Sequence, residues 1–145
     1  MPTELSKKSI DIIKESASLI TLNDTKITSR TYEILFGRFP KLKALFVNAP
    51  KDQYMKLADA LSAYAVNIDR LQVLKPALDV IARTHVNSKV KPVHYPMVGI
   101  ALIQAIEDIL GDQATPEFID AWREAYQHIA DVLIEMEETI YSQQT

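Results

Sequence analysis

Seven prolines punctuate the chain, at positions 2, 40, 50, 76, 92, 96 and 116, and none falls deep inside a run of apolar residues at helical spacing. A proline in a helix interior deletes a hydrogen bond and clashes with the turn before it, costing about 3 kcal/mol. These residues therefore mark ends, and the intervals between them are free to be helical. Ile10, Ile13, Ala17 and Ile20 form a first stripe, with Thr3 or Ser6 as its cap. Polar Asn23-Asp24-Thr25 is expected to end that helix and cap a second one carrying Ile27, Thr31, Leu35 and Phe39. Pro40 stops the second helix, and residues 41–46 read as a short helical turn. Gln53, Leu57, Leu61, Tyr64 and Ile68 make the next stripe, and Leu74, Leu78, Ile81 and His85 another, opened by Pro76. Asn87-Ser88-Lys89 breaks the chain before a helix that starts near Val93 and runs through Leu102, Ile106 and Leu110 to Gly111. Thr115-Pro116-Glu117 starts the last helix, joining a cap, a first-turn proline and an acid facing the helix dipole. That helix is expected to reach about Tyr141. No segment reads as a strand, a repeat or a linker, so the expected fold class is all-α, with six to seven helices in one domain over residues 1–145.

Composition narrows the chemistry. Three glycines in 145 residues disfavour a turn-rich β-sandwich. The absence of cysteine excludes a disulfide scaffold, a thiolate zinc site and covalent haem attachment through paired cysteines. A net charge of −3 with mixed signs argues against nucleic acid as the main partner. The first residues hold no apolar core of signal-peptide length, and the longest apolar stretch, residues 97–103, is far shorter than a membrane span. A soluble, cytoplasmic protein without membrane insertion is expected.

No glycine-rich phosphate loop, His-Glu-x-x-His motif or nucleophile elbow occurs. The histidines at 85, 94 and 128 lack the spacing that puts two ligands on one helical face. What stands out instead is polar side chains on stripes that should be buried, where an unpartnered group costs about 1–3 kcal/mol. His85 continues the line of Leu74, Leu78 and Ile81. It is either a core histidine satisfied by a carbonyl or a metal ligand whose remaining ligands come from a cofactor such as a porphyrin. Glu137 falls between Leu133 and Ile140, either buried with a partner or solvated beside Glu135 and Glu138. Tyr95 lies on the stripe of Val98, Leu102 and Ile106, as core with a wet hydroxyl or as a functional group. Tyr32 and Gln53 complete the set.

Together these residues resemble the bacterial single-domain haemoglobins of the flavohaemoglobin family, which include Vitreoscilla haemoglobin-like and thermoglobin-like proteins. The similarity runs through Thr31-Tyr32-Glu33-Ile34-Leu35-Phe36, Leu45-Phe46, Asn67-Ile68-Asp69-Arg70-Leu71 and Ile81-Ala82-Arg83-Thr84-His85. It continues in Val90-x-x-x-His94-Tyr95-Pro96-x-Val98-Gly99, Ala121-Trp122-x-x-Ala125-Tyr126 and Glu137-x-x-Ile140-Tyr141. The resemblance implies a globin fold around a haem b pocket, with His85 as the proximal ligand of the haem iron. It implies Tyr95 and Glu137 as the proximal hydrogen-bonding partners that orient the imidazole and strengthen it as a donor. Tyr32 and Gln53 match the distal pair that donates hydrogen bonds to bound O₂, and Tyr32 and His85 become the catalytic residues. Phe46, Leu57, Ile81, Val90, Val98 and Tyr126 are implied to line the haem pocket. Two departures bear on the distal side. The stretch between Phe46 and Gln53 is short, and Tyr54 stands where many relatives have proline, so Gln53 is free to swing in or out.

The resemblance implies a globin that binds O₂ reversibly and oxidises nitric oxide to nitrate. No flavin or nicotinamide domain is expected within residues 1–145, so an external reductase is the implied electron donor. The alternative is oxygen binding, storage or delivery without chemistry; gas sensing and a haem-free helical interaction module are further readings. O₂, NO and other small diatomic ligands are the expected partners, with a monomer or homodimer as the assembly.

Overall fold

In the computed structural model, which describes residues 4–144, the helices form largely from the cues that mark them in the sequence. Ser6 caps α1 (Lys7–Glu15), its side chain accepting the Ser9 amide at 3.2 Å. The alternative cap, Thr3, lies outside the described residues. Pro40 ends α2 (Ala17–Arg38) and opens a 3-10 turn, Pro40–Phe46. Then follow α3 (Gln53–Val66) and α4 (Lys75–Asn87), with Pro76 in the first turn of α4. A 3-10 turn at Pro92–His94 leads into α5 (Tyr95–Leu110). Gly111 closes α5 in the left-handed region at φ +56°, where only glycine is unstrained. Thr115 caps α6 (Pro116–Gln143) by accepting the Phe118 amide at 3.2 Å. Among the described residues there are six α-helices and no strand.

One boundary differs from expectation. The break near the N-terminus falls at Ser16, while Asn23, Asp24 and Thr25 lie inside the 22-residue α2. The side chains explain the difference. The Asn23 amide donates to the Leu19 carbonyl at 2.9 Å, and Asp24 accepts the Ser62 hydroxyl of α3 at 2.7 Å. With partners inside the fold, neither caps a new helix. The Ser16 hydroxyl bonds back to the Ile12 and Ile13 carbonyls, an interaction that competes with helix continuation.

The main core joins Ile13, Ile20 and Ile27 to Leu61, Tyr64 and Ile68 of the α3 region, Leu102 and Ile106 of α5, and Trp122 of α6. Burying a side chain of this size contributes about 1.5–3 kcal/mol. α5 lies at the centre. By length and composition its neighbourhood, Pro92–Gln113, is apolar enough to cross a membrane, a feature that the short apolar stretch at residues 97–103 does not reveal. The helix is apolar nearly all round because it packs against both α2 and α6.

Two smaller apolar clusters stand apart from this core. One holds Ala82, Val86, Tyr95, Ala130, Leu133 and Ile140, flanked by half-buried Leu78, Ile81 and Val90. The other holds Leu35, Leu42 and Ala101, flanked by half-buried Tyr32, Phe36, Phe46 and Val98. Tyr95 and Val98 are one turn apart on the same face of α5, so the two clusters border each other there without merging.

Candidate functional site

The end of α4 builds the first half of the site. Lys89 adopts φ +64°, and the Val90 amide then bonds the His85 carbonyl at 2.9 Å, turning the chain back on itself. This turn and the short stretch after it deliver Tyr95, only ten residues beyond His85, to the histidine's side. Glu137 arrives from α6, where it shares a buried stripe with Ala130, Leu133 and Ile140 and is itself 3% exposed. The sequence left Glu137 with two readings, and the buried one holds.

The three side chains meet at one atom. His85 Nδ1 lies 3.0 Å from the Tyr95 hydroxyl and 2.9 Å from Glu137 Oε2, and the Tyr95 hydroxyl donates to the same Oε2 at 2.7 Å. Tyr95 has one hydroxyl hydrogen, and it is hydrogen-bonded to the carboxylate. His85 Nδ1 must therefore carry its own hydrogen, which leaves the lone pair on Nε2. Among the described residues nothing bonds Nε2, and the imidazole keeps 32% of its side-chain exposure while its carboxylate partner is sealed. Burial pushes the Tyr95 hydroxyl far above the ordinary tyrosine range, and the bond to Glu137 and its charge push further the same way. Tyr95 is thus a fixed donor.

Further contacts brace this network. The Tyr126 hydroxyl donates to the Tyr95 carbonyl at 2.7 Å, and the Tyr126 ring lies so close to Gly99 that a Cβ there would meet Cε2 at 2.7 Å. The Tyr141 hydroxyl holds the Val90 carbonyl at 2.8 Å, and the Lys91 ammonium sits 4.0 Å from the Tyr141 ring centre. Tyr141 appears in the sequence only as part of a motif. A bond from a hydroxyl to a distant backbone carbonyl leaves no spacing to detect.

A second group of the residues singled out from sequence gathers where α2, the turn after it and α3 meet. Tyr32, Phe36 and Phe46 make an aromatic trio, with Phe46 edge-on at 5.4 Å from Tyr32 and 5.3 Å from Phe36. Phe36 was not singled out from sequence, although it lies one helical turn from Tyr32. A cavity of about 250 Å³ is lined by Tyr32, Phe36, Phe46, Pro50, Gln53 and Tyr54, among others. Burial raises the Tyr32 hydroxyl to about 12, with the Gln53 side chain beside it pulling the other way. The structure thus brings Tyr32 and Gln53 together, and Leu57 follows one turn later, half-buried. Ile81 and Val90 flank the His85 cluster and Val98 the Tyr32 cluster. A larger recess, about 370 Å³, lies between α5 and α6 and is lined by Gly99 and Tyr126, among others.

The remaining histidines are elsewhere. His94 Nδ1 accepts the Lys91 amide at 2.9 Å, and burial followed by the Lys91 charge lowers its pKa. Among the described residues no group of three His, Asp or Glu side chains is arranged to hold a metal ion. The donor set offered is instead one imidazole with a free, partly exposed Nε2, beside half-buried apolar and aromatic side chains. That set fits a flat, apolar group that brings its own metal and equatorial ligands, as a haem does.

Comparison with known proteins points the same way. Residues 29–133 match the family model described as globin. The chain is 47% identical over 139 residues to an uncharacterized globin-like protein of Aquifex aeolicus, covering 96% of this chain and 99% of that one. It is 45% identical over 143 residues to a flavohemoprotein of Rhodopirellula baltica, covering 97% of this chain but 35% of the relative. The chain thus spans about a third of the length of the flavohemoproteins it matches. Among solved structures, it superposes with a TM-score of 0.94 and 33% identity on an engineered carbene transferase built on a candidate nitric oxide dioxygenase from Rhodothermus marinus, covering 97% of this chain and 99% of that one. A bacterial globin from Campylobacter jejuni follows at 0.87 and 34% identity, covering 94% and 99%.

Proposed function

The chain belongs to the globin family, and on that premise we propose that it is a haem b globin that binds O₂ and detoxifies nitric oxide by dioxygenation to nitrate, drawing electrons from an external reductase. The observation that carries this reading is the His85 imidazole, held at Nδ1 by Tyr95 and Glu137 and open at Nε2. Haem b would supply a redox-active iron able to bind diatomic gases. Every other role falls to side chains of this chain.

His85 presents Nε2 as the proximal ligand. Glu137 accepts a hydrogen bond from Nδ1–H and shifts electron density onto the ring, making it a stronger donor, while Tyr95 fixes the carboxylate that does so. Phe46, Leu57, Ile81, Val90, Val98 and Tyr126 provide the walls that exclude water. On the distal side Tyr32 keeps its proton at any physiological pH, since its pKa is raised to about 12, and donates it to a diatomic ligand. The Gln53 amide stands beside it as a second donor. Taken overall, one NO, one O₂ and one electron give one nitrate. The electron must come from outside the site, since none of these side chains supplies it.

The likeness to the candidate nitric oxide dioxygenase of Rhodothermus marinus supports the reaction class. A second reading, O₂ binding without a catalytic cycle, needs only the held His85 imidazole and the Tyr32 donor, and no electron source. Stopped-flow mixing separates them. The haem-loaded, ferrous, O₂-saturated protein mixed with NO should yield ferric protein and one nitrate per haem, with further turnovers only when a reductase and its reductant are added. An oxygenated spectrum that persists through the mixing, without nitrate, overturns the dioxygenase reading. A protein without a Soret band when reconstituted with haemin overturns both.

A further inference from the structure

Thr28 lies on α2 one helical turn before Tyr32 and is fully buried. Its hydroxyl donates to the backbone carbonyl of Tyr54 at 2.6 Å, while the acceptor on its own helix, the Thr25 carbonyl, is at 3.4 Å. The shorter bond crosses from α2 to the first turn of α3, at the residue next to Gln53.

Backbone bonds from Gln53 to the Pro50 carbonyl and from Met55 to the Asp52 carbonyl shape that turn, but little else ties it to α2. Asp52 occupies the N-cap position yet makes no capping bond, although aspartate is among the residues that usually supply one. Tyr54, Met55 and Lys56 are exposed, and only Gln53 and Leu57 around them are half-buried. Residues 47–52 before it are mostly exposed turns. Apolar packing is non-directional and tolerates a slide along the helix. A hydrogen bond weakens steeply once its distance and angle depart from optimum. Thr28 therefore supplies the directional restraint that packing lacks.

We infer that Thr28 is a positioning residue for the distal pair: its bond to the Tyr54 carbonyl holds the first turn of α3 against α2, where Gln53 stands beside Tyr32. The inference rests on the reading of Tyr32 and Gln53 as the distal pair. A second hydroxyl, Ser62, ties α3 to Asp24 of α2 at 2.7 Å, farther along the helix from Gln53. It makes an internal control.

The test compares Thr28→Val and Thr28→Ala, which lack the donor, with Thr28→Ser, which keeps it, and with Ser62→Ala and Tyr32→Phe. Three readouts are taken: amide hydrogen exchange of residues 53–57 in the haem-free protein, the infrared band of CO in the haem-loaded protein, and the O₂ dissociation rate. Loss of the donor should speed exchange in this turn, split or shift the CO band, and speed O₂ release roughly two- to tenfold, the range that one neutral hydrogen bond carries. Thr28→Ser should restore all three, and Ser62→Ala should lower stability without changing the CO band. Wild-type readouts in Thr28→Val and Thr28→Ala overturn the inference, as does failure of serine to restore them or the same spectral change in Ser62→Ala. If neither donor-less variant folds, the Thr28 hydroxyl proton of the wild type decides, since exchange with water as fast as a free hydroxyl overturns the inference. Tyr32→Phe tells the two layers apart. If it leaves O₂ release unchanged, the distal reading itself fails; if it speeds release while the Thr28 variants do not, only the role of Thr28 fails.

Discussion

The Tyr95 hydroxyl donates to Glu137 Oε2 at 2.7 Å across 42 residues of sequence, and both groups converge on His85 Nδ1. The carboxylate accepts from two donors, which is what makes its burial tolerable. Glu137→Gln keeps an acceptor oxygen but removes the charge, while Glu137→Ala removes the acceptor that Tyr95 and His85 share and leaves them only each other, at 3.0 Å. The alanine variant should therefore destabilise the haem-free protein by about 1–3 kcal/mol, the cost of one stranded donor, and the glutamine variant by less. Urea unfolding of the two side by side checks the order. In the haem-loaded protein Glu137→Gln should raise the ferric/ferrous midpoint potential, because a less electron-rich imidazole stabilises ferric iron less. A potential that falls or stays constant would show that the carboxylate charge does not reach the metal.

Gly99 packs closely against Tyr126, since a methyl group at Gly99 would fall 2.7 Å from Cε2 of the ring. Two effects compete in Gly99→Ala. Alanine favours a helix interior over glycine by about 1 kcal/mol. Overpacking against a ring costs about 1–3 kcal/mol. The Tyr126 ring cannot swing aside freely, because its hydroxyl is bonded to the Tyr95 carbonyl at 2.7 Å. Net destabilisation is expected in thermal unfolding, and it should shrink when Tyr126 is also replaced by leucine, which vacates the space. A stabilised Gly99→Ala would mean that the ring yields at no cost.

The sequence could carry this much because periodicity and punctuation are local. Glu137 was legible as an anomaly since Leu133 and Ile140 fix the buried face on which it falls. Pro40, Pro76 and Pro116 mark helix ends through local chemistry, a missing N–H and a ring that clashes with the turn before it. Asn23-Asp24-Thr25 misled for the opposite reason. Whether such residues cap a helix or sit within one depends on what their side chains reach, and Ser62, which receives no hint from spacing, is what Asp24 reaches. Thr28 and Tyr126 act through hydroxyl bonds to backbone carbonyls 26 and 31 residues away. Any residue type has such a carbonyl, so the sequence holds no mark of the partner.

α1 is docked on α6 through Glu124, whose carboxylate accepts the Ser6 amide, the Ser6 hydroxyl at 3.1 Å and the Ser9 hydroxyl at 2.8 Å. The Ser6 amide first, then the Ser9 hydroxyl, holds its pKa below the ordinary value of 4.5. The folded pKa is depressed, so the stabilisation is fully present above the unfolded value and is lost as pH falls through the folded one. Glu124→Gln should accordingly be less stable than the wild type at neutral pH. The gap should close as pH drops below about 4.5, where the wild-type carboxyl also becomes protonated. Urea denaturation at a series of pH values measures it. A gap that is constant with pH would mean that Glu124 acts by shape alone.

Tyr32 offers the sharpest reading of the distal side, since it is held in an aromatic trio and its hydroxyl stays protonated up to about 12. If it donates to a bound diatomic ligand, Tyr32→Phe removes one hydrogen bond to a partly negative acceptor, worth about 1.5–3 kcal/mol. O₂ dissociation should then speed up by roughly 10- to 150-fold, measured by displacement with excess CO. The pH dependence supplies an independent check. An ordinary tyrosine begins to ionise near 10 and would stop donating there, whereas burial keeps the Tyr32 proton in place. The wild-type rate should thus stay flat through pH 10, and only the wild type should show an increase as pH approaches 12. A rate unaffected by the substitution would place the hydroxyl away from the ligand, and the reading of Tyr32 and Gln53 as a distal pair would fail.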